Sequence, residues 1–315
     1  MKDNFSLEEL VEAQRLISPH IHRTPVLSSK ALNSISGATL FFKCENFQKT
    51  GSFKARGATH AILRLSEDEK RRGVATHSSG NHGQALAWAA QKLGIACHVV
   101  MPENAPEVKI AAVQNYGAEV HLCAPNLAAR EAGLKAVQDK FGAVFIPPYN
   151  HPHIIAGQST AATELLEDYP DLDLIISPVG GGGLLAGTAL SNYYFSKRCQ
   201  VIAGEPEGAN DAFQSFYSGN LVKEHQTKTI ADGLLTTLGE INFPIIQELV
   251  LEIITVSETE IVEALKLIYQ RLKIVVEPSS AVALAAILQQ AERYENRRIG
   301  IILSGGNVDL AKLPF

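Results

Sequence analysis

Four apolar, strand-like runs in this chain end in turns made largely of small residues. Residues 40–45 lead into Gln48-Lys49-Thr50-Gly51-Ser52-Phe53-Lys54-Ala55-Arg56-Gly57, and residues 74–77 into Ser78-Ser79-Gly80-Asn81-His82-Gly83. Residues 174–179 lead into Gly180-Gly181-Gly182-Gly183, and residues 299–303 into Ser304-Gly305-Gly306-Asn307. An open parallel sheet binds ligands at the carboxyl ends of its strands, where small residues let the backbone come close. Further strand patterns at 98–101, 119–123, 143–146 and 201–204 alternate with helical ones. This alternation predicts an α/β chain with parallel sheets covered on both faces. Capping boxes mark helix starts at Ser6/Glu9, Ser66/Glu69 and Ser257/Glu260.

Each turn suggests chemistry. Lys54 follows an aromatic and precedes a small residue, a setting for an amine held against a flat carbonyl cofactor. Taken alone, it reads first as a solvated lysine at a helix start. Residues 78–83 precede a helix running to about Leu93, whose free N–H groups suit a carboxylate. A simple Ser or Asn cap would explain one residue of that run. Gly180, Gly181, Gly182 and Gly183 suit a phosphate. Gly181, Gly183 and Gly187 also give a G-x-G-x-x-x-G spacing with Glu205 ending a later strand, the outline of a nicotinamide dehydrogenase site.

With 315 residues, 46% of them apolar, the chain suits one large or two medium domains. The net charge of -5, with both signs interspersed, offers no nucleic-acid face and no membrane surface. Met1-Lys2-Asp3-Asn4 leads into an amphipathic helix pattern, not an apolar signal core. Cys44, Cys97, Cys123 and Cys199 form no C-x-x-C and read as reduced core thiols of a cytoplasmic protein, not a zinc site.

Together and in this order, the four motifs resemble the fold-type II pyridoxal phosphate (PLP) enzymes, the tryptophan synthase β-like group. Within that group the chain is most similar to the serine/threonine dehydratase family and its serine racemases. The resemblance runs from His22-Arg23-Thr24-Pro25 to Asn307-Val308-Asp309-Leu310. It implies two open α/β domains with PLP in the cleft between them. Residues 1–72 plus 150–315 would form a discontinuous large domain, and 73–149 a small mobile one. It further implies a homodimer acting on a small amino acid, without the regulatory domain of isoleucine-sensitive relatives.

The resemblance also implies roles. Lys54 would bind PLP as a Schiff base and then remove the substrate's Cα proton, with Ser79 the acid on the opposite face. Phe53 would stack near the ring, Asn81 would bond its hydroxyl, and Gly180–Gly183 would hold its phosphate. Ser304 would meet the pyridine nitrogen. A hydroxyl there does not fully protonate the ring, which favours reprotonation or β-hydroxyl loss over transamination. Ser78, Ser79, Asn81 and His82 would bind substrate. Arg130, with His82, would hold a second carboxylate, although an exposed helix arginine fits the sequence equally. Glu205, the Ala209 carbonyl and Asp211 would hold Mg²⁺, Ca²⁺ or Mn²⁺, against the alternative of a solvated acidic loop. Ser29, Lys49, Thr50, Gln84, Tyr116, Lys273 and Asn307 match an ATP effector site, but Lys30 and Val11 depart from its pattern. Residues 150–155 lack the triple-serine loop of aspartate racemases. The expected activity is serine racemisation with L-serine dehydration. The alternative is an L-threonine or L-threo-3-hydroxyaspartate dehydratase with little racemase activity.

Overall fold

The structure, a computed structural model, describes residues 5–105, 107–196 and 198–315. Met1-Lys2-Asp3-Asn4 lie outside the described residues. Among the described residues, ten strands form two sheets: β1 (Val26–Leu27), β2 (Thr39–Cys44), β3 (Val74–His77), β4 (Cys97–Pro102), β5 (Glu119–Cys123), β6 (Val144–Phe145), β7 (Leu174–Pro178), β8 (Gln200–Pro206), β9 (Glu252–Val256) and β10 (Arg298–Leu303). The larger sheet has the order β1-β2-β10-β7-β8-β9, and the smaller β5-β4-β3-β6. Only the β1–β2 pairing is antiparallel among the strands described. The expected fold, a fold-type II α/β architecture, is the one observed.

Period-two alternation builds the larger layer. Phe42, Ile176, Ile202, Ile254 and Ile301 face the helix Pro278–Gln289 through one core. Their neighbours Phe41, Ile175 and Ile302, and further along Val201 and Ile253, fill cores on the other face. Successive strand side chains point to opposite faces, so these runs read as continuously apolar because both faces are covered. All three capping boxes form as read from sequence. The strand ends differ by a residue or two from the sequence reading. The edge strands β1 and β9 were not among the predicted strands.

This topology sets the site. The turns after β2, β7 and β10 from one sheet, and after β3 and β4 from the other, open on one cleft of about 740 Å³. Among the described residues, no helix is long and apolar enough to cross a membrane.

Candidate active site

The lysine and serine turns are stitched together. Ser52 bridges to Gly305, and the Phe53 N–H donates to the Ser304 carbonyl at 3.0 Å. Thr50 (φ 59°) and Gly51 (φ 71°) take left-handed conformations to make the turn. A Cβ on Gly51 would lie 2.6 Å from Asn307 Oδ1, so the position has no room for a side chain. Lys54 then opens the helix Lys54–Leu63. Its amine donates to the Pro148 carbonyl at 2.8 Å and sits 5.0 Å from the centre of the Phe53 ring. Burial pulls its pKa down to about 8, against the opposing pull of Glu277. A confined amine with its pKa lowered in this way is a nucleophile or base near neutral pH.

Two helix N-termini face the same cleft without side-chain caps. The helix Asn81–Leu93 starts from Gly80, and Ser78 Oγ accepts only from Gly80 N–H, at 3.3 Å. The simple serine-cap reading is therefore not what the run does. Ser79 lines the cleft. The helix Gly183–Phe195 starts from Gly182 in a left-handed conformation (φ 87°). A Cβ on Gly181 would lie 2.4 Å from the Tyr149 ring, and one on Gly180 2.9 Å from Leu234 Cα. Asn242 fixes the loop by donating to the Gly181 carbonyl at 2.6 Å. This is a tight glycine cradle on a helix N-terminus, as a phosphate requires. With the confined Lys54 amine across the cleft, the residues present fit PLP.

The cleft wall also holds residues that sequence reasoning missed. Asn81 Nδ2 donates to both carboxylate oxygens of Glu277, each at 3.0 Å. Asn81 Oδ1 accepts from Asn307 Nδ2 at 2.9 Å, and the same Asn307 amide donates to the Thr50 carbonyl at 2.7 Å. Glu277 is buried, which pushes its pKa up to about 7. The signal available was Glu277-Pro278, an acid directly before a proline at a helix start. Ser280 was also missed. Its hydroxyl donates to the Gly305 carbonyl at 2.7 Å and lies 3.1 Å from Ser304 Oγ, so Ser304 is the donor of that pair. Ser304 is thus a buried hydroxyl at the cleft wall.

The substrate candidates divide. Ser78, Asn81, His82 and Arg130 all line the cleft. His82 does not suit the carboxylate-holding role expected of it. It is buried, its Nε2 donates to the Ile146 carbonyl at 2.9 Å, and burial lowers its pKa to about 3. The remaining ring nitrogen, Nδ1, is a buried lone pair without a partner, an acceptor and not a cation. Arg130 lines the cleft, and its buried Nε has no partner.

Glu205 and Asp211 are fully buried, which excludes a solvated acidic loop. Glu205 accepts from the Ala212 and Phe213 N–H groups at 2.9 and 2.7 Å. Asp211 Oδ2 accepts from Leu238 N–H at 2.8 Å, while its buried Oδ1 has no partner. Burial and mutual repulsion raise Glu205 well above the carboxylate range, and burial raises Asp211 to about 6. Two buried acids with an orphaned oxygen, beside the buried Ala209, fit a hard divalent cation.

Of the nucleotide candidates, Thr50 and Asn307 meet directly. Ser29 caps the helix Lys30–Ser36, Lys49 N–H is held by Gln48, and Lys273 takes a left-handed conformation. Gln84 is buried in the helix Asn81–Leu93, and Tyr116 packs on the smaller sheet's core.

Comparison with known proteins agrees with this geometry. The chain is 48% identical to the β-hydroxyaspartate dehydratase of Paracoccus denitrificans, over 98% of each chain. It is 48% identical to the serine racemase of Dictyostelium discoideum, over 98% of this chain and 96% of that one. The crystal structure of serine racemase from Dictyostelium discoideum superposes with a TM-score of 0.93, covering 97% of this chain and 99% of that one at 49% identity. The family described as pyridoxal-phosphate dependent enzyme matches residues 17–305, a span that holds the confined lysine, the glycine cradle and the buried serine, and the chain belongs to that family.

Proposed function

We propose that this chain is a serine racemase that also dehydrates L-serine to pyruvate and ammonia. The observation that carries this reading is the approach of Lys54 and Ser79 to one cleft from different sheets, after β2 and β3 respectively. PLP, when bound, withdraws electrons from the substrate's Cα and makes its proton removable. Lys54 takes that proton from one side, and the Ser79 hydroxyl delivers one from the other, which inverts the centre. The uncapped N-terminus of the helix Asn81–Leu93 holds the substrate carboxylate.

The test is L-serine with purified holoenzyme and Mg²⁺, following D-serine by chiral chromatography and pyruvate in the same tube. D-serine and pyruvate together are the expected result, and pyruvate alone would reduce the enzyme to a dehydratase. Ser79→Ala should lower D-serine formation by roughly 10² or more, while pyruvate formation stays within about tenfold. Equal loss of both would end the two-base assignment.

One observation favours a second reading. The unpartnered Arg130 Nε in the cleft suits a substrate with a distal carboxylate. A relative named for β-hydroxyaspartate is as similar as the serine racemase. L-threo-3-hydroxyaspartate in the same assay separates the two by its kcat/KM against that of L-serine.

We also assign Mg²⁺, or Ca²⁺ or Mn²⁺ in its place, to Glu205, the Ala209 carbonyl and Asp211. Without a cation, these acids keep their protons at low pH and lose stability as pH rises from about 4 through about 6. EDTA should therefore lower Tm, and the stability gap to Mg²⁺-loaded protein should widen between pH 4 and 6, by roughly 3 kcal/mol from Asp211. A pH-independent Tm unaffected by EDTA would remove the site. ATP at Thr50 and Asn307 would act on Asn81 through the Asn307 amide. Residues 73–149, with their own sheet and core, are taken as a small mobile domain of a cytoplasmic homodimer.

A further inference from the structure

At the amino end of the smaller sheet, away from the cleft, three donor side chains converge. β4 and β5 are parallel neighbours with His98 opposite Glu119 and Val100 opposite His121. His98 Nδ1 lies 3.2 Å from His121 Nε2 and 3.3 Å from Glu119 Oε2. His121 Nε2 lies 3.7 Å from Glu119 Oε1. The cleft, by contrast, receives Pro102 and Asn104 from the other end of β4.

These separations have a simple reading. A tetrahedral zinc ion with bonds of about 2.0–2.1 Å places its ligand atoms roughly 3.3–3.4 Å apart. Two of the three separations match the edges of such a face, and the third, 3.7 Å from His121 Nε2 to Glu119 Oε1, closes with a small turn of the exposed carboxylate. Without a metal, the single Nδ1 of His98 faces a ring nitrogen and a carboxylate oxygen together, and one proton serves only one of them. A cation serves all three. The ring of His98 is buried and stacked on Phe141 at 4.2 Å and 18°, so its plane is fixed before any ligand arrives. Glu119 is exposed and His121 partly so, which leaves a fourth position to water.

We propose that His98, Glu119 and His121 form a zinc-type site that ties β4 to the edge strand β5. Two imidazoles and one carboxylate select Zn²⁺ and its first-row neighbours over Mg²⁺. The site is thereby distinct in chemistry and place from the carboxylate pair Glu205 and Asp211.

The test uses holoenzyme stripped with chelator, returned to excess Mg²⁺ and titrated with Zn²⁺ by calorimetry. Co²⁺ absorption then reports coordination geometry. Wild-type protein should take up Zn²⁺ and give the visible bands of tetrahedral Co²⁺. His121→Gln and Glu119→Gln should each bind about tenfold or more weaker, since even outer-sphere partners of metal ligands contribute that much. Both variants should turn over L-serine as wild type does, because neither residue touches the cleft. His98→Gln tests the buried ligand, and the two more exposed variants keep the test decisive if it fails to fold. Equal Zn²⁺ uptake by wild type and variants would overturn the proposal. So would no uptake at all, which would mean that the cluster only shares a proton.

Discussion

Lys54→Ala is expected to give a folded, colourless protein with turnover reduced at least about 10³-fold. The fold should survive because little else depends on this amine. Its one hydrogen bond goes to the Pro148 carbonyl. Alanine is the best helix former, and the position opens the helix Lys54–Leu63. The electrostatics point the same way. The folded protein lowers the lysine pKa from 10.5 to about 8 by burial. The unfolded chain therefore holds the proton more tightly, and wild-type stability falls as pH drops from about 10.5 to about 8, then levels off. The variant lacks that term. Borohydride-treated wild type should carry the cofactor on the peptide containing Lys54, and the variant should not. A variant that stays yellow and turns over within about tenfold of wild type would move the chemistry to another residue.

Much of this was legible because its causes are local. A capping box needs only residues three apart, and Ser6/Glu9, Ser66/Glu69 and Ser257/Glu260 all form. Glycines at strand ends declare a close approach in one dimension, and the contacts a Cβ would make on Gly180 and Gly181 give the reason. What remained hidden depends on partners distant in sequence. Asn81 and Glu277 are separated by 196 residues and meet only because two sheets share a cleft. His82 lies in a visible motif, yet its charge state follows from burial beneath the Ile146 carbonyl, which no spacing encodes. The edge strand β9 is a short run with charge at one end, a weak signal until β8 pairs with it.

Arg56→Met is expected to destabilise the protein by about 3–5 kcal/mol, the usual result of breaking a buried ion pair from one side. Arg56 lies within the lysine motif and has no exposed surface. Its guanidinium donates to Glu45 at 2.7 and 2.8 Å, and to both oxygens of Glu164 at 2.8 Å. Lys43 donates to Glu164 at 2.6 Å and to the Thr24 carbonyl at 2.8 Å, and Thr24 Oγ1 donates to Glu45 at 2.6 Å. Two cations and two anions thus balance inside the protein, joining β2, the helix Lys54–Leu63 and the helix Pro152–Asp168. Methionine fills similar volume but leaves two buried carboxylates facing one lysine. Burial alone would raise Glu164, and Arg56 and Lys43 together outweigh it and hold the group below its ordinary pKa. Such a group stabilises the fold above the unfolded value of 4.5, and that contribution fades as pH falls through the folded value. In the variant Glu164, without Arg56, binds protons more readily. The Tm gap to wild type should therefore be wide at pH 7, roughly 10 °C, and should narrow toward pH 4. Arg56→Lys should fall between the two, because lysine keeps the charge and loses the planar fork that reaches both acids. Since Arg56 lies in the same helical turn as Lys54, the methionine variant should also bind PLP more weakly, read as a higher cofactor concentration for half-maximal absorbance. A gap that does not change with pH would assign the loss to packing alone.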